Sequence, residues 1–216
     1  MTTIGSIQRD NRFLLPAVPW QTYIALREQS ENEHVRMIYD RGVLEMMTPS
    51  KRHEQYGYLI GRLIDVWTEE LKIDVQSCRT VTFKREDIQR GLEPDNCYYI
   101  AHELTVRDKV ELDLSVDPPP DLAIEIDLGS SVTDKMALYA AFNVPEVWLY
   151  DGNILQVYIL DADGKYLSSQ SSGSFPQLPP AEIETVLRRM GTASDTELVR
   201  AFRDWVRKTI LPHSKT

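Results

Sequence analysis

Acidic residues alternate with apolar ones along residues 121–128, DLAIEIDL. This period of two predicts a β-strand on which Asp121, Glu125 and Asp127 share one face. Like charges this close repel each other, and the pattern then has two explanations. Either the acidic face meets open solvent on a half-exposed strand, or it binds a cation.

Two neighbouring motifs favour a cation site. Asp95 follows Glu93-Pro94 at the start of another predicted strand, and Lys135 comes ten residues after Glu125, early in a predicted helix. A helix that begins just after a strand folds back beside it, so this lysine can point at the acidic face. The alternatives are that Asp95 belongs only to a turn and that Lys135 is a solvated helix residue.

These residue types together fit the hydrolysis of a phosphodiester. Carboxylate oxygens hold Mg²⁺ or Mn²⁺, which lowers the pKa of water and stabilises charge on a phosphoryl oxygen. A lysine can position or deprotonate the attacking water, or offset charge in the transition state. We therefore predict Asp95, Glu125 and Lys135 as catalytic residues, with Asp95, Glu125 and Asp127 as metal ligands.

A family resemblance rests on the same residues. Pro94-Asp95, followed thirty residues later by Glu125-Ile126-Asp127, resembles the PD-(D/E)XK pattern. Residues 18–165 resemble the Uma-type family of putative restriction endonucleases, a branch of that nuclease superfamily. The matching positions are Pro120-Asp121, Glu125, Lys135, Tyr139, Asn143-Val144 and Glu146-Val147-Trp148. The resemblance implies a restriction-endonuclease-like fold and a metal-dependent endonuclease acting on DNA.

The chain departs from the superfamily pattern at one position. The third residue of the E-x-K motif is Asp127 instead of lysine. A strict interpretation would make the site inactive. The resemblance implies instead that the lysine has moved to the following helix, at Lys135, which leaves Asp127 as a further metal ligand or a supporting group.

Asp121, His53 and Glu54 are further candidate site residues, and each also has an alternative role. Asp121 begins the acidic strand and either joins the ion or lies too far along the strand to reach it. His53 extends the buried stripe of a predicted helix, which favours a structural role. Glu54 lies about 100° away on the helical wheel, near Gly57 and Gly61. In nucleases of this superfamily an acidic residue on the early helix joins the metal site, and Glu54 matches that position.

The remaining pattern predicts an alternating order of strands and helices. Residues 50–72 show the clearest helical period, with Ser50 as the N-cap. Asp40-Arg41-Gly42 predicts a hairpin turn, and Ser194 with Glu197 predicts a capping box. We expect helices near 20–28, 131–143, 181–190 and 194–211, and strands near 35–47, 73–83, 95–100, 121–128, 146–151, 154–160 and 165–169, with a polar break at 84–90.

Bulk composition limits the function classes. The net charge of −9 disfavours nucleic-acid binding by broad electrostatics, although it leaves room for a local basic face. Apolar runs are too short for a membrane span, and the N-terminus lacks a secretory pattern, so we expect a cytoplasmic protein without membrane contact. Cys78 and Cys97 lack metal-site spacing and are expected in the core.

The predicted fold class is α/β (α+β), with a central mixed sheet flanked by helices, an N-terminal hairpin and C-terminal helices. We expect an N-terminal arm at 1–17, extended or loosely packed, a main domain at 18–170 and a helical extension at 171–216 packed on it. Cleavage of both DNA strands predicts a homodimer. Two other hypotheses are an inactive nuclease-fold module that binds nucleic acid or protein, and a dimerisation domain that uses its C-terminal helix.

Overall fold

The computed structural model describes residues 10–32, 34–79, 81–129, 131 and 133–213. Two β-sheets form its framework. The first sheet has the strand order β1-β3-β2-β6-β5, and all its neighbours are antiparallel. Its strands are β1 (Asn11–Leu15), β2 (Arg36–Asp40), β3 (Val43–Thr48), β5 (Phe83–Arg85) and β6 (Arg90–Leu92).

The second sheet is mixed, as the sequence predicts. Its order is β11-β10-β9-β8-β7-β4, and only the β8–β9 pair is parallel. The strands are β4 (Gln76–Ser77), β7 (Asn96–Tyr99), β8 (Leu122–Ile126), β9 (Glu146–Tyr150), β10 (Leu155–Leu160) and β11 (Tyr166–Ser169). A parallel pair needs a crossover connection, and a helix between β8 and β9 supplies it.

Helices cover both faces of the second sheet. They are α2 (Lys51–Leu71), α4 (Lys135–Ala141), α5 (Pro180–Leu187) and α6 (Asp195–Trp205). Helix α1 (Trp20–Arg27) packs instead on the first sheet, and α3 (Glu103–Val106) is a four-residue helix after β7. On β8, Leu122, Ile124 and Ile126 pack with α2, α5 and α6, whereas Ala123 packs with α4. Strand β8 is therefore buried on both faces, and Glu125 on its acidic face does not meet solvent. In the described ranges, no helix combines the length and apolar content needed to cross a membrane.

The predicted helix signals are confirmed. Ser50 caps α2 by accepting a hydrogen bond from the His53 N–H, and the α2 stripe is buried from Tyr56 to Trp67. Ser194 and Glu197 form the capping box of α6. Helix α4 begins later than predicted, at Lys135, because the Asp134 side chain caps it by accepting from the Ala137 N–H at 3.1 Å.

Residues 73–83 differ from the prediction of one long strand. Only Gln76–Ser77 pairs in the second sheet, and Phe83–Arg85 belongs to the first. Between them the chain turns at Arg79, whose φ is 48°, because it must cross from one sheet to the other. The predicted polar break at 84–90 is therefore partly wrong, since both of its ends lie in the β5–β6 hairpin at the edge of the first sheet.

The predicted N-terminal arm is partly a sheet strand. Residues 11–15 pair with β3 over five positions, from Asn11 with Thr48 to Leu15 with Leu44, so this stretch is extended, and most of its side chains are exposed. Residues 1–9 lie outside the described part of the chain. Cys78 and Cys97 are free thiols, and Cys97 is buried against α4.

We expect Gly91→Ala to destabilise the fold by about 1–3 kcal/mol, the usual cost of overpacking a core. An added Cβ would lie 2.3 Å from the Tyr23 Oη and 2.7 Å from its Cζ. The Tyr23 ring cannot retreat easily, because it is buried and stacked on Tyr39 with centroids 4.9 Å apart. Urea unfolding of the variant, with Gly129→Ala as the unobstructed control, measures this cost. Equal midpoints for Gly91→Ala and wild type would contradict the packing described.

Candidate active site

Three elements bring Asp95, Glu125 and Lys135 together. Asp95 immediately precedes β7, Glu125 lies on β8, and Lys135 is the first residue of α4. The Asp95 N–H donates to the Ile124 carbonyl at 3.1 Å, and the Ile126 N–H donates to Asp95 Oδ2 at 2.8 Å. These backbone contacts fix the Asp95 carboxylate against β8, next to Glu125.

The Glu125 carboxylate is buried between two side chains of α4. Lys135 Nζ lies 2.5 Å from Glu125 Oε2, and the Tyr139 hydroxyl donates to Oε1. Positions 135 and 139 are four residues apart, so both side chains project from the same face of the helix. Lys135 is thus a buried partner of Glu125 and not a solvated helix residue; only 8% of its side chain is exposed.

Electrostatics at this pair favour a charged lysine. Burial raises the pKa of Glu125, the negative charge of Asp95 raises it further, and Lys135 and Tyr139 oppose the shift. Burial acts to lower the pKa of Lys135, but the charges of Glu125 and Asp95 outweigh it, so this pKa is raised. The ammonium therefore stays protonated beside the two carboxylates.

His53 is buried and links Asp95 to a residue outside the predicted set. Its Nε2 lies 2.8 Å from Asp95 Oδ1, and its Nδ1 lies 3.0 Å from Asp10 Oδ2. Burial acts to lower the pKa of His53, but the bonds to Asp10 and Asp95 raise it to about 9. Burial also opposes the ionisation of Asp10, yet His53 and the Ser50 N–H lower its pKa to about 2.

Arg12 on β1 closes the other side of the site. Its Nη1 donates to Glu45 Oε1 at 2.6 Å, and its Nη2 lies 3.6 Å from Asp127 and 3.7 Å from Asp10. The Arg12 charge also acts on Lys135. Asp127 thus lies at the rim, with 26% of its side chain exposed and an arginine as its near neighbour.

Sequence reasoning missed Asp10 and Arg12. Both lie in the segment predicted as an N-terminal arm, and His53 is 43 residues from Asp10 along the chain. No local spacing signals such a contact. Tyr139 was singled out only as a residue matching the family pattern, and its position four residues after Lys135 is the signal that predicts a shared target.

Asp121 is not brought to the site. Its Oδ2 accepts from the Ile100 N–H at 2.6 Å and the His102 N–H at 3.1 Å, and its Oδ1 lies 2.7 Å from His102 Nδ1. Asp121 lies four positions before Glu125, a distance of roughly 13 Å along an extended chain. Asp121 instead holds the loop that follows β7.

Glu54 lies beside the site and not in it. Its side chain is 58% exposed, and its nearest cation is Arg36, at 3.7 Å. Together with Asp95 and His53 it lines a cavity of about 210 Å³ next to α2. Strand β7 lies close against Gly61, since a Cβ at Gly61 would lie 3.0 Å from Asn96 Nδ2.

The donor set fits a magnesium-type ion held by few protein ligands. Among the described residues, no group of three or more His, Cys, Asp or Glu side chains is placed to hold a metal, so Asp127 does not complete a three-carboxylate set. Magnesium in phosphoryl-transfer sites usually takes one or two carboxylates, with waters and substrate phosphates as its other ligands. Asp95 and Glu125 supply two such carboxylates, which lie close enough for the charge of Asp95 to act on Glu125.

We expect Lys135→Met to lower the free energy of unfolding by about 3–5 kcal/mol, because it leaves the buried Glu125 carboxylate without its cation. Adding Glu125→Gln removes that charge, so the double variant should be more stable than Lys135→Met alone. Urea unfolding of the two single variants and the double variant measures the coupling, with Lys51→Met as an exposed control. Strict additivity of the two substitutions would show that the pair contributes no interaction energy.

Comparisons with known proteins bear on the fold and on the family. A solved structure described as a putative nuclease belonging to DUF820, from Anabaena variabilis ATCC 29413, is similar to the chain with a TM-score of 0.55 and 15% identity. The match covers 79% of this chain and 99% of that one, and it confirms the predicted restriction-endonuclease-like α/β fold. No curated protein matches the chain. A family model described as Uma2, putative restriction endonuclease, matches residues 20–189. Because this match covers well over half of the chain, the chain belongs to the Uma2 family of putative restriction endonucleases.

Proposed function

We propose that this protein is a metal-dependent phosphodiester hydrolase, an endonuclease whose substrate is DNA. The observation that carries the proposal is the buried Glu125 carboxylate, paired with Lys135 at 2.5 Å and adjoining Asp95, in a chain of the Uma2 family. Two carboxylates and an ammonium group are the residue types that metal-assisted phosphodiester hydrolysis uses.

Asp95 and Glu125 are the residues that would hold Mg²⁺ or Mn²⁺. Such an ion supplies Lewis-acid stabilisation of a phosphoryl oxygen and lowers the pKa of water. The surrounding side chains orient both carboxylates, since His53 contacts Asp95 and Tyr139 donates to Glu125. Partners of this kind fix the orientation of metal-binding groups in proteins.

Lys135 acts as a charged hydrogen-bond donor in this proposal. Although burial opposes it, the charges of Glu125 and Asp95 raise the pKa of Lys135, so the protein's own residues favour an ammonium group here. A protonated ammonium beside the reacting phosphate offsets the negative charge that develops in the transition state, and it orients the attacking water. Lys135 thereby takes the place of the lysine that the E-x-K motif lacks at Asp127.

We also propose a homodimer that works in the cytoplasm. Cutting both strands of duplex DNA takes two active sites, and a twofold-symmetric dimer places two copies of one site in opposite orientations. Light scattering at several protein concentrations, with and without duplex DNA, measures whether the particle has the mass of two chains.

A second candidate function is a nuclease-fold module that binds nucleic acid without cutting it. One observation favours it: the four carboxylate oxygens of Asp95 and Glu125 all have protein partners, namely His53, the Ile126 N–H, Tyr139 and Lys135. Metal binding must then displace or share at least one of these contacts. The metal titration below separates the two functions.

We expect saturable binding of Mg²⁺ or Mn²⁺ by calorimetry in the wild type, and its loss in Glu125→Gln. Glutamine keeps the shape of the side chain but removes the negative charge that the ion needs. Glu86→Gln, an exposed position on a distant hairpin, serves as the matched control. Absence of binding to the wild type, even with DNA present, would overturn the catalytic proposal and favour the non-cutting module.

We expect Lys135→Arg to reduce DNA cleavage by about 100-fold while the protein stays folded. Arginine keeps a positive charge beside Glu125, but its planar fork places the donors differently, and a displacement of 1 Å costs a reaction about that factor. Cleavage of supercoiled plasmid at a fixed Mg²⁺ concentration measures the rate, with Lys51→Arg as the control. Wild-type rates in Lys135→Arg would exclude Lys135 from the chemistry.

A further inference from the structure

A polar cavity lies next to Asp95 and is separate from the Glu125–Lys135 pair. It has a volume of about 210 Å³, and Asp95 and His53 line it. Gly57 and Gly61 of α2 also line it, together with Asn96 and Tyr98 of β7, which approach closely at Gly61. The volume is below the roughly 300–1,000 Å³ of sites for drug-sized ligands, which suits one unit of a chain-like ligand.

Three arginines from different elements line this cavity: Arg36 of β2, Arg62 of α2 and Arg79 after β4. None of them has a carboxylate oxygen within hydrogen-bond distance among the described residues, although the charges of Arg62 and Arg79 act on the nearby Asp65. Arg36 is 3.7 Å from Glu54, and its buried Nε has no hydrogen-bond partner. Arg62 donates only to the Tyr58 hydroxyl, at 3.0 Å, and Arg79 forms no ion pair with the described part of the chain.

Three other arginines of the fold have closer carboxylate partners. Arg12, Arg27 and Arg90 each have a carboxylate oxygen within 3.0 Å. A buried guanidinium donor without a partner costs stability, and a bound acceptor would remove that cost. Arg36 has such a donor, and two further guanidinium groups line the same cavity, which favours an anionic ligand because the planar fork of arginine matches phosphate oxygens.

The other lining groups fit a nucleotide better than a free inorganic anion. Carboxylates of Glu54 and Asp65 face the same cavity and can accept hydrogen bonds from base amino groups. Tyr58 exposes 47% of its surface, with the Arg62 guanidinium 5.8 Å from its ring centroid. Such an aromatic surface can stack with any of the nucleobases, because every base has a π-face.

We infer that this cavity binds the nucleotide next to the scissile phosphate of a DNA strand, with Arg36, Arg62 and Arg79 contacting its backbone phosphates. The identity of the scissile phosphate rests on the proposed function, because the cavity shares Asp95 with the candidate metal site. Binding itself does not depend on cleavage.

The test uses the double variant Arg62→Ala/Arg79→Ala, since neither residue forms an ion pair with the described chain. Its matched control is Arg189→Ala/Arg200→Ala, which removes the same charge from two exposed arginines near the C-terminal helices. Fluorescence anisotropy of fluorescein-labelled 20-mer DNA, single-stranded and duplex, measures affinity without added metal at several salt concentrations. Circular dichroism melting verifies that both double variants are folded.

We expect the cavity variant to bind one or both probes at least about 10-fold more weakly, with a salt slope reduced by about 1.4–1.8 for two lost phosphate contacts. The control pair should bind as wild type does. Unchanged binding by the cavity variant, an equal loss in the control pair, or no binding of either probe by the wild type would each overturn the inference.

Glu125→Gln in the same assay separates this inference from the proposed function. We expect it to bind DNA as the wild type does while losing cleavage. If wild-type protein cuts no DNA but the cavity variant still loses affinity, the binding site stands and the hydrolase proposal fails. If wild-type protein cuts DNA and the cavity variant binds normally, the hydrolase stands and the cavity assignment fails.

Discussion

The buried contact of Glu125 with Lys135 and Tyr139 is the constraint on which the site depends. An isolated carboxylate at this depth would be neutral or would destabilise the fold, since burial alone costs a charge several kcal/mol. Helix α4 supplies both compensating donors from one face. Strand β8 and the start of α4 are therefore bound to each other by charge as well as by packing.

The same connection explains why the second sheet is mixed. Strands β8 and β9 run parallel, so the chain must cross over between them, and α4 is that crossover. A crossover helix starts near the end of the strand it follows, and here its first residue is Lys135. The crossover helix that connects the two parallel strands therefore also brings the Lys135 ammonium group to Glu125.

A second constraint operates where the two sheets meet. Residues 93–95 join β6 of the first sheet to β7 of the second. Glu93 is buried and anchored by Arg27 at 2.6 Å and the Thr82 hydroxyl at 2.7 Å, while Asp95 contacts His53 and β8. The junction holds one carboxylate on each side, and each has a cationic partner. The net charge of the chain says little about this region, because each of these buried carboxylates has its own cationic partner.

Features that depend on short-range periodicity and caps can be predicted from the sequence alone. The α2 stripe, the β2–β3 hairpin, the strand carrying Glu125 and the helix carrying Lys135 all follow from residues close together in the chain. The distant groups that complete the site become known only from the folded chain. Asp10 reaches His53 across 43 residues, Arg12 reaches Glu45 across 33, and Asp121 turns to His102 instead of the site. The division of residues 73–83 between two sheets has the same origin, because each part joins the sheet that contains its pairing strand. Local sequence constrains the backbone through period and turn chemistry, whereas the partner of a buried charge depends on which surfaces meet after the chain has folded.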